Sequence, residues 1–239
     1  MKNLINDLGQ PIGFPVDDWK ASTIPSDSHI LGRLCRLEPL DSDYRANELY
    51  AAFSKDSGNH NWTYLPYGPF DNFESFNSWL RDVNRGDDPF FHAVIDLKTD
   101  DAVGLASYLR INPAGGVIEV GHIHFSPLLQ RTTLATEAMF LMMSRVFDAL
   151  GYRRYEWKCD ALNEPSRKAA SRLGFSFEGI FRQATMYKGR NRDTAWYAII
   201  DKDWPKIRLA YDSWLDLDNF DAAGNQKKSL SDFMKISST

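Results

Sequence analysis

The residue types that could do chemistry are most concentrated in residues 119–137, EVGHIHFSPLLQRTTLATE, where a predicted strand leads through a short connection into a predicted helix. Arg131 lies in the connection, and Thr132, Thr133 and Thr136 begin the helix. The first N–H groups of a helix lack internal partners, and the helix dipole makes that end positive, so it can bind phosphate. The segment therefore predicts an anion site. The alternative is that Thr132 or Thr133 only caps the helix.

Residues that could accept a proton lie on the strand before this connection. Strict alternation places Glu119, Gly121, Ile123 and Phe125 on one face and His122 and His124 on the other. We expect a bulge at Gly121, which would shift the alternation beyond it. A carboxylate can accept a proton through an ordered water, and histidine titrates in the useful range, so Glu119, His122 and His124 are candidate bases. For each histidine the alternative is a buried core residue, and an amine that arrives neutral needs no base.

The composition is that of a globular protein with little net charge. Of 239 residues, 43% are hydrophobic and 25% are charged, and 28 Lys and Arg against 32 Asp and Glu give a net charge of −4. This balance excludes global disorder, and it predicts neither a general nucleic-acid-binding surface nor a surface for anionic membranes. We therefore expect neither nucleic acid nor membrane as a partner.

Membrane and cysteine signals are both weak. No apolar run approaches the ~18 residues that span a bilayer, and the N-terminal segment lacks the continuous apolar core of a signal peptide. Cys35 and Cys159 are far apart and outside any CxxC pair, which excludes a disulfide scaffold and a cysteine-rich zinc site but leaves one bridge open. We expect a reduced, cytoplasmic protein without a metal, as a monomer or homodimer.

Hydrophobic periodicity predicts one α/β domain over residues 31–214, between an N-terminal arm (1–30) and a C-terminal tail (215–239). The predicted strands cover residues 33–39, 90–97, 102–111, 117–125, 154–159, 175–188 and 194–200. The predicted helices cover residues 42–55, 72–85, 133–150, 163–173 and 203–214. Short connections favour antiparallel neighbours, whereas the strand–helix–strand unit of residues 117–159 predicts one parallel pair. The expected fold is therefore a mixed, mostly antiparallel sheet flanked by helices.

Local signals predict two of the element boundaries. Asp71 followed by Glu74 resembles a capping box and indicates the start of the second helix. The segment GRNRD, residues 189–193, indicates the turn between the last two strands.

Two segments carry a resemblance to a known family. Residues 130–135, QRTTLA, resemble the Q/R-x-x-G-x-G/A acetyl-CoA loop of the GCN5-related N-acetyltransferases (GNAT). Residues 163–179, NEPSRKAASRLGFSFEG, are similar to the N-x-x-S-x-x-x-x-x-x-L-G-F-x-x-E-G stretch of the RimJ/RimL-type branch, which acetylates ribosomal proteins. The resemblance extends over about residues 33–200. It departs from the family pattern where Thr133 and Ala135 stand in place of glycines.

This resemblance implies direct transfer of an acetyl group from acetyl-CoA to an amine in a ternary complex. The residues that it places around the diphosphate are Gln130, Arg131, Thr132, Thr133, Leu134, Ala135 and Thr136. The pantetheine arm would lie along Ile123 and Phe125, where the two parallel strands splay apart, and would also meet Asn163. Ser166 would hydrogen-bond the sulfur as the acid. The alternatives are a helix-cap role for Ser166 and a turn role for Asn163.

The same resemblance implies where the amine would bind. The residues expected to line that pocket are Trp62, Tyr64, Tyr67, Trp157 and Tyr187. Aromatic residues at this density are more often core residues or loop anchors, which is the alternative. The acceptor would be a primary amine of a small molecule, an aminoacyl conjugate, or a peptide or protein N-terminus. A non-catalytic CoA-binding module that keeps the same fold is the second interpretation.

Overall fold

The computed structural model describes residues 4–236, in which ten strands and six α-helices are found. The strands are β1 (Leu4–Ile5), β2 (Pro11–Ile12), β3 (Ile30–Leu31), β4 (Cys35–Pro39), β5 (Phe90–Asp96), β6 (Ala102–Asn112), β7 (Val117–Phe125), β8 (Arg154–Asp160), β9 (Ser176–Tyr187) and β10 (Arg190–Ile200). The helices are α1 (Ser42–Phe53), α2 (Phe73–Val83), α3 (Thr133–Ser144), α4 (Glu164–Arg172), α5 (Trp204–Leu215) and α6 (Leu230–Ile236). Within residues 4–236, no helix is long and apolar enough to cross a membrane.

Eight of the strands form one sheet in the order β3-β4-β5-β6-β7-β8-β10-β9, and β1 pairs with β2 separately. Neighbouring strands of the large sheet are antiparallel except β7 and β8, which run parallel. The long connection through α3 makes this parallel pair feasible, whereas short turns join antiparallel neighbours. The predicted mixed, mostly antiparallel sheet flanked by helices is confirmed.

The parallel strands β7 and β8 are paired over only their first halves. Residues 117–120 of β7 pair with residues 154–157 of β8. The remaining residues, 121–125 and 158–160, continue as strands but have no register with each other. The sheet therefore opens into a V between β7 and β8, as the resemblance implies.

A bulge in β7 marks the point where the V opens. Gly121 pairs with Ser107, whereas His124 pairs with Leu105, so β7 has one residue more than β6 in this interval. His122 absorbs the extra residue with a φ of 50°, in the left-handed region. The extra residue thus lies immediately after Gly121, where the bulge was predicted.

The bulge changes which side chains share a face of the sheet. Ile118 and Val120 belong to a core that contains residues of α3, α5 and α6, so Glu119 points to the opposite face, which α1 and α2 cover. Ile123 and Phe125 also pack against the α3 core. Strict alternation, which groups them with Glu119, is therefore wrong beyond the bulge.

Two predicted boundaries are also corrected. The cap of α2 is Asn72 rather than Asp71, because the Oδ1 atom of Asn72 accepts a hydrogen bond of 2.9 Å from the Ser75 N–H. The β9–β10 hairpin turns at Lys188 and Gly189, whose φ values are 48° and 68°, rather than over the longer GRNRD segment. Two left-handed residues match the twist of a tight two-residue hairpin.

The arm and the tail are anchored to the rest of the chain. The Trp19 indole Nε1 donates to the carbonyl oxygen of Ala114 over 2.8 Å. Leu230 of α6 is buried in the α3 core. The predicted boundaries of arm, domain and tail stay predictions, and residues 1–3 of the arm and 237–239 of the tail lie outside the described residues.

Candidate active site

The N-terminus of α3 lies directly after the open end of β7. Thr132 caps the helix: its Oγ1 accepts from the Ala135 N–H over 3.1 Å and donates to the Leu129 carbonyl over 2.7 Å. Thr132 therefore has the capping role that was the alternative. The N–H groups of Thr133 and Leu134 precede the first intrahelical bond, so they stay available to an anion.

Arg131 lies in the turn that leads into this helix. It is exposed and has a φ of 62°, in the left-handed region. This conformation costs a residue with a side chain roughly 1 kcal/mol, and such conformations cluster at functional sites. The backbone of Arg131 thus lies two residues before Thr133, the first residue of α3.

Two other residues of this segment already have protein partners. The Gln130 Nε2 donates to the Phe125 carbonyl at 2.8 Å and to Asn61 Oδ1 at 2.9 Å. The Thr136 Oγ1 is buried and accepts from both Nη atoms of Arg172, each at 3.2 Å. Arg172, at the end of α4, had not been predicted, because its approach to α3 depends on how the two helices pack. It adds a cation near the first turn of α3.

The carboxyl end of β8 leads into α4, where Asn163 and Ser166 lie. Asn163 caps α4 by accepting from the Ser166 N–H at 3.2 Å. The helix-cap role considered as the alternative for Ser166 is therefore wrong, because Asn163 has that role. The Ser166 Oγ accepts a hydrogen bond of 3.0 Å from the indole Nε1 of Trp157. That bond leaves the hydroxyl hydrogen of Ser166 to be donated. Burial raises the pKa of the neighbouring Cys159 thiol, and the Ser166 hydrogen bond opposes this effect.

Glu119 lies on the opposite face of the sheet, inside a ladder of alternating charges. Its side chain is 3% exposed; Oε1 meets Arg110 Nη1 at 2.7 Å, and Oε2 meets Lys158 Nζ at 2.8 Å. Lys158 also meets Glu156 at 2.7 Å, and Glu156 meets Arg154 at 2.6 Å. Burial raises the pKa of Glu119, while Lys158 and Arg110 pull it down. Each carboxylate oxygen of Glu119 therefore already forms an ion pair with a side chain of the protein.

His122 stands at the bulge, at the mouth of the V. Its Nδ1 is 3.1 Å from the hydroxyl oxygen of Tyr67, and the two rings are nearly parallel. Burial, with the positive charges of Arg110 and Arg192, lowers the pKa of His122 to about 4. The half-buried imidazole is therefore neutral at pH 7 and has an unprotonated ring nitrogen, although the lowered pKa makes it a weaker base than free histidine.

His124 is enclosed in the α1–α2 core. It is 2% exposed and stacks on Phe53 with ring centroids 3.8 Å apart, with the Trp62 ring at 3.9 Å. Neither ring nitrogen has a hydrogen-bond partner among residues 4–236. Burial lowers the pKa of His124 to about 3. This geometry favours the alternative interpretation, a buried core histidine.

The five predicted pocket aromatics divide into two groups. Trp62 and Trp157 are buried in the two cores. The other three lie around the V: Tyr67 meets His122, the Tyr187 hydroxyl donates to the Asp160 carboxylate at 2.8 Å, and the Tyr64 hydroxyl donates to the Leu162 carbonyl at 3.2 Å.

The β9–β10 hairpin reaches across the V to the aromatic loop of residues 57–70. The Lys188 Nζ donates to the Trp62 carbonyl at 2.7 Å, and the Arg190 Nη2 donates to the Thr63 carbonyl at 2.9 Å. We call these two bonds the clasp. They narrow the mouth of the V on the face that carries Glu119 and His122.

Comparison with known proteins gives consistent results. The family model described as "Acetyltransferase (GNAT) domain" matches residues 34–176. A solved GCN5-related N-acetyltransferase from Brucella melitensis is 47% identical, with a TM-score of 0.90, and the match covers 92% of this chain and 100% of that chain. A probable acetyltransferase of the GNAT family from Chromobacterium violaceum ATCC 12472 is 39% identical, with a TM-score of 0.77, over 82% of this chain and 98% of that chain.

The curated relatives match over a shorter length. The ribosomal-protein-serine acetyltransferase of Escherichia coli (strain K12) is 30% identical over 105 residues, which are 44% of this chain and 58% of that protein. The chain thus spans about three fifths of the first curated relatives that it matches. A ribosomal-protein acetyltransferase among these relatives agrees with the RimJ/RimL-type resemblance.

Proposed function

The chain belongs to the GNAT acetyltransferase family, and we propose that it transfers an acetyl group from acetyl-CoA to a primary amine. One observation carries this proposal: β7 and β8 separate at the His122 bulge, and the open end of β7 leads directly to the α3 N-terminus. An extended thioester arm fits between strand edges that lack partners, and a diphosphate fits a helix N-terminus. The two parts of the site therefore match the two parts of acetyl-CoA.

Acetyl-CoA supplies the acetyl group as an activated thioester. The N–H groups of Thr133 and Leu134, with Arg131, would bind its diphosphate. The backbone of Ile123 and the N–H of Phe125, on the open edge of β7, would bind the pantetheine, while the Phe125 carbonyl accepts from Gln130. A backbone N–H of the bulge would stabilise the negative charge that develops on the thioester oxygen.

The chemistry requires one new bond and two proton movements. The amine nitrogen bonds to the acetyl carbon, the carbon–sulfur bond breaks, the amine loses a proton and the thiolate gains one. We assign the first proton to His122, since its imidazole is neutral and borders the mouth, whereas Glu119 is held by two cations. We assign hydrogen bonding of the sulfur to Ser166, whose Oγ accepts from Trp157 and whose hydroxyl hydrogen would turn from the Cys159 thiol to the thioester sulfur.

The acceptor class is part of the proposal. The face of the V that carries Glu119 and His122 is where we place the amine, and we call it the acceptor side. The clasp narrows the mouth on this side, which favours a small or peptidyl amine over a folded protein surface. The Escherichia coli relative, named as acting on ribosomal protein, supports a protein N-terminus instead. The proposed cytoplasmic location rests on the composition and on the two free, buried thiols of Cys35 and Cys159.

A non-catalytic CoA-binding module is the second candidate. It is favoured by Thr133, whose side chain stands where the family pattern has a glycine at the proposed diphosphate site. A module would bind CoA and release no thiol from acetyl-CoA with any amine.

The experiment combines a thiol-release assay over an amine panel with calorimetric titration of CoA. We expect amine-dependent CoA release, and a CoA dissociation constant that Arg131→Ala weakens by roughly 10- to 100-fold. Arg85→Gln, an exposed substitution near the end of α2, is the matched control. Binding without turnover would favour the module, and absence of CoA binding would defeat both candidates.

A further inference from the structure

Arg192 of β10 is a partly buried cation without an anionic partner. Its Nε is buried and has no hydrogen-bond acceptor among residues 4–236. Its contact is the face of Tyr187, with the guanidinium carbon 5.9 Å from the ring centroid. Buried arginines are normally paired, because an unsatisfied buried donor costs free energy. This guanidinium therefore has donors to give to a group from outside the chain.

Strand register fixes where this cation stands. Trp196 pairs with Lys158 and Thr194 pairs with Asp160, the last residue of β8. Alternation places Arg192 on the same face as Thr194 and Trp196, two residues beyond the end of β8. The Lys158 ammonium lies 3.8 Å from the Trp196 ring centroid, so this is also the face of the charge ladder. Arg192 thus stands at the open end of the V, on the acceptor side.

The neighbours of Arg192 agree with that position, and none of the described carboxylates forms an ion pair with it. Its positive charge contributes to lowering the pKa of His122, after burial and Arg110. The Asp160 carboxylate is taken by the Tyr187 hydroxyl and the Leu162 N–H. The Asp193 carboxylate accepts from the Gln183 N–H and the Asn191 side chain. Both carboxylates keep their negative charge, but neither forms an ion pair with the Arg192 guanidinium within the part of the chain that the structure describes.

The hairpin that carries this cation adds two further positive charges. Lys188 and Arg190, from the same hairpin, donate hydrogen bonds to neutral backbone carbonyls of the loop, so their positive charges are not paired by these contacts. The acceptor side of the V is therefore a positive, aromatic-lined mouth next to the proposed base. A positive field of this kind attracts an anionic substrate and repels a purely cationic one.

We propose that Arg192 binds an oxyanion of the acceptor, a carboxylate or a phosphate carried a few bonds from the reacting amine. The inference rests on the proposed acetyl transfer and specifies its substrate class. The planar guanidinium suits either oxyanion, because it can donate two parallel hydrogen bonds. Binding to the guanidinium would pair its charge and would hold the amine near His122.

Matched pairs of probe acceptors separate recognition of the anion from reactivity of the amine. The pairs are glycine with glycinamide, phenylalanine with phenylalaninamide, and O-phosphoethanolamine with ethanolamine. An α-amino group next to a carboxamide is less basic than one next to a carboxylate, so more of it is neutral at pH 7. Without anion recognition the amide would react at least as well as the acid. A preference for the amino acid over its amide would therefore show that the carboxylate is recognised. Comparison with the pair of O-phosphoethanolamine and ethanolamine would show which oxyanion is favoured.

The test compares wild type, Arg192→Gln, Arg192→Lys and the control Arg85→Gln by thiol release. We expect wild type to prefer the anionic member of a pair, and Arg192→Gln to lower its kcat/KM by roughly 10- to 100-fold. The neutral member should change less than about threefold, and the KM for acetyl-CoA should stay constant, which also shows that the variant is folded. Arg192→Lys should recover part of the loss. Equal use of both members, or an equal loss for both in Arg192→Gln, would overturn the inference.

A second readout does not depend on turnover. In NMR titrations of CoA-bound protein, we expect the Arg192 Nε–H and His122 ring resonances to shift with O-phosphoethanolamine or phenylalanine but not with the neutral partner. Failure of every amine to release CoA would count against the proposed function. The inference would still stand if only the anionic probes shifted these resonances, and it would fall if they did not.

Discussion

The indole Nε1 of Trp157 donates to the Oγ of Ser166 over 3.0 Å, and so joins the last residue of β8 that pairs with β7 to the first turn of α4. The bond uses a lone pair of the Ser166 oxygen and leaves the hydroxyl hydrogen to be donated. Trp157 is buried, so the hydroxyl is held by a rigid partner. A hydrogen-bond donor fixed in this way suits a thiolate that forms at the open end of the V.

Replacing Ser166 tests that role. We expect Ser166→Ala to lower kcat by roughly 10- to 100-fold, because the developing thiolate loses a donor. The KM for acetyl-CoA should change little. Trp157→Phe keeps the hydroxyl but frees its orientation, and should cost less in kcat. The measurement is steady-state thiol release, and an unchanged kcat in Ser166→Ala would remove Ser166 from the mechanism.

His122 is expected to determine turnover. His122→Gln keeps a polar side chain but removes the proton acceptor, so kcat should fall by roughly 100-fold. Because the pKa of His122 lies at about 4, the imidazole is already neutral at pH 5 and above. The acid limb of kcat/KM due to His122 should therefore lie near pH 4, and any rise above pH 6 should follow the pKa of the chosen amine. A pH profile of kcat/KM that followed neither the pKa of His122 nor the pKa of the amine would argue against His122 as the base.

Glu119 is expected to act on stability more than on turnover. In Glu119→Gln, Arg110 loses its carboxylate partner. Lys158, whose side chain is 8% exposed, keeps Glu156 as its one remaining ion-pair partner among the described residues. Breaking such a buried pair costs about 3 to 5 kcal/mol of unfolding free energy. Urea denaturation measures this loss, with Glu164→Gln at an exposed pair as the control. Full stability combined with a 100-fold loss of kcat would instead make Glu119 the base.

The sheet could be predicted from the sequence because local signals determine it. Alternation defined the strands, and the helical connection from β7 to β8 required their parallel pairing. The contacts that complete the site are not local. The bulge is defined by Ser107 and Leu105 on another strand, Gln130 bonds Asn61 in a distant loop, and Arg192 is recognised only once the register of β10 against β8 is known. Periodicity carries no information about such pairs.

Acid should destabilise the protein through its buried histidines. The folded pKa of His124, about 3, lies below its unfolded value of ~6.5. The unfolded chain therefore takes up the proton first, so the stabilisation is full above pH 6.5 and falls as the pH drops towards 3. Between pH 7 and pH 5 the loss is about 2 kcal/mol for this residue.

His124→Phe isolates that contribution. The substitution puts a phenyl ring between Phe53 and Trp62 in place of the imidazole, and so removes two buried nitrogens without partners among the described residues. The free energy of unfolding at pH 7 should therefore stay within about 1 kcal/mol of wild type. At pH 5 the variant should be more stable than wild type. Urea denaturation at the two pH values measures the difference, and parallel losses in both proteins would contradict the assignment.

The clasp should control how freely the aromatic loop opens. Lys188→Met keeps the apolar stem but removes the ammonium that donates to the Trp62 carbonyl at 2.7 Å, a bond to a charged group worth about 1.5 to 3 kcal/mol. Hydrogen exchange in residues 57–70 should then accelerate by roughly 10-fold or more, while the core strands stay protected. Lys206→Met, exposed on α5, is the matched control and should leave this exchange unchanged. Because a looser loop widens the mouth, bulky amines should gain kcat/KM relative to small ones. Equal exchange in Lys188→Met and wild type would show that the aromatic packing of Trp62 alone holds the loop.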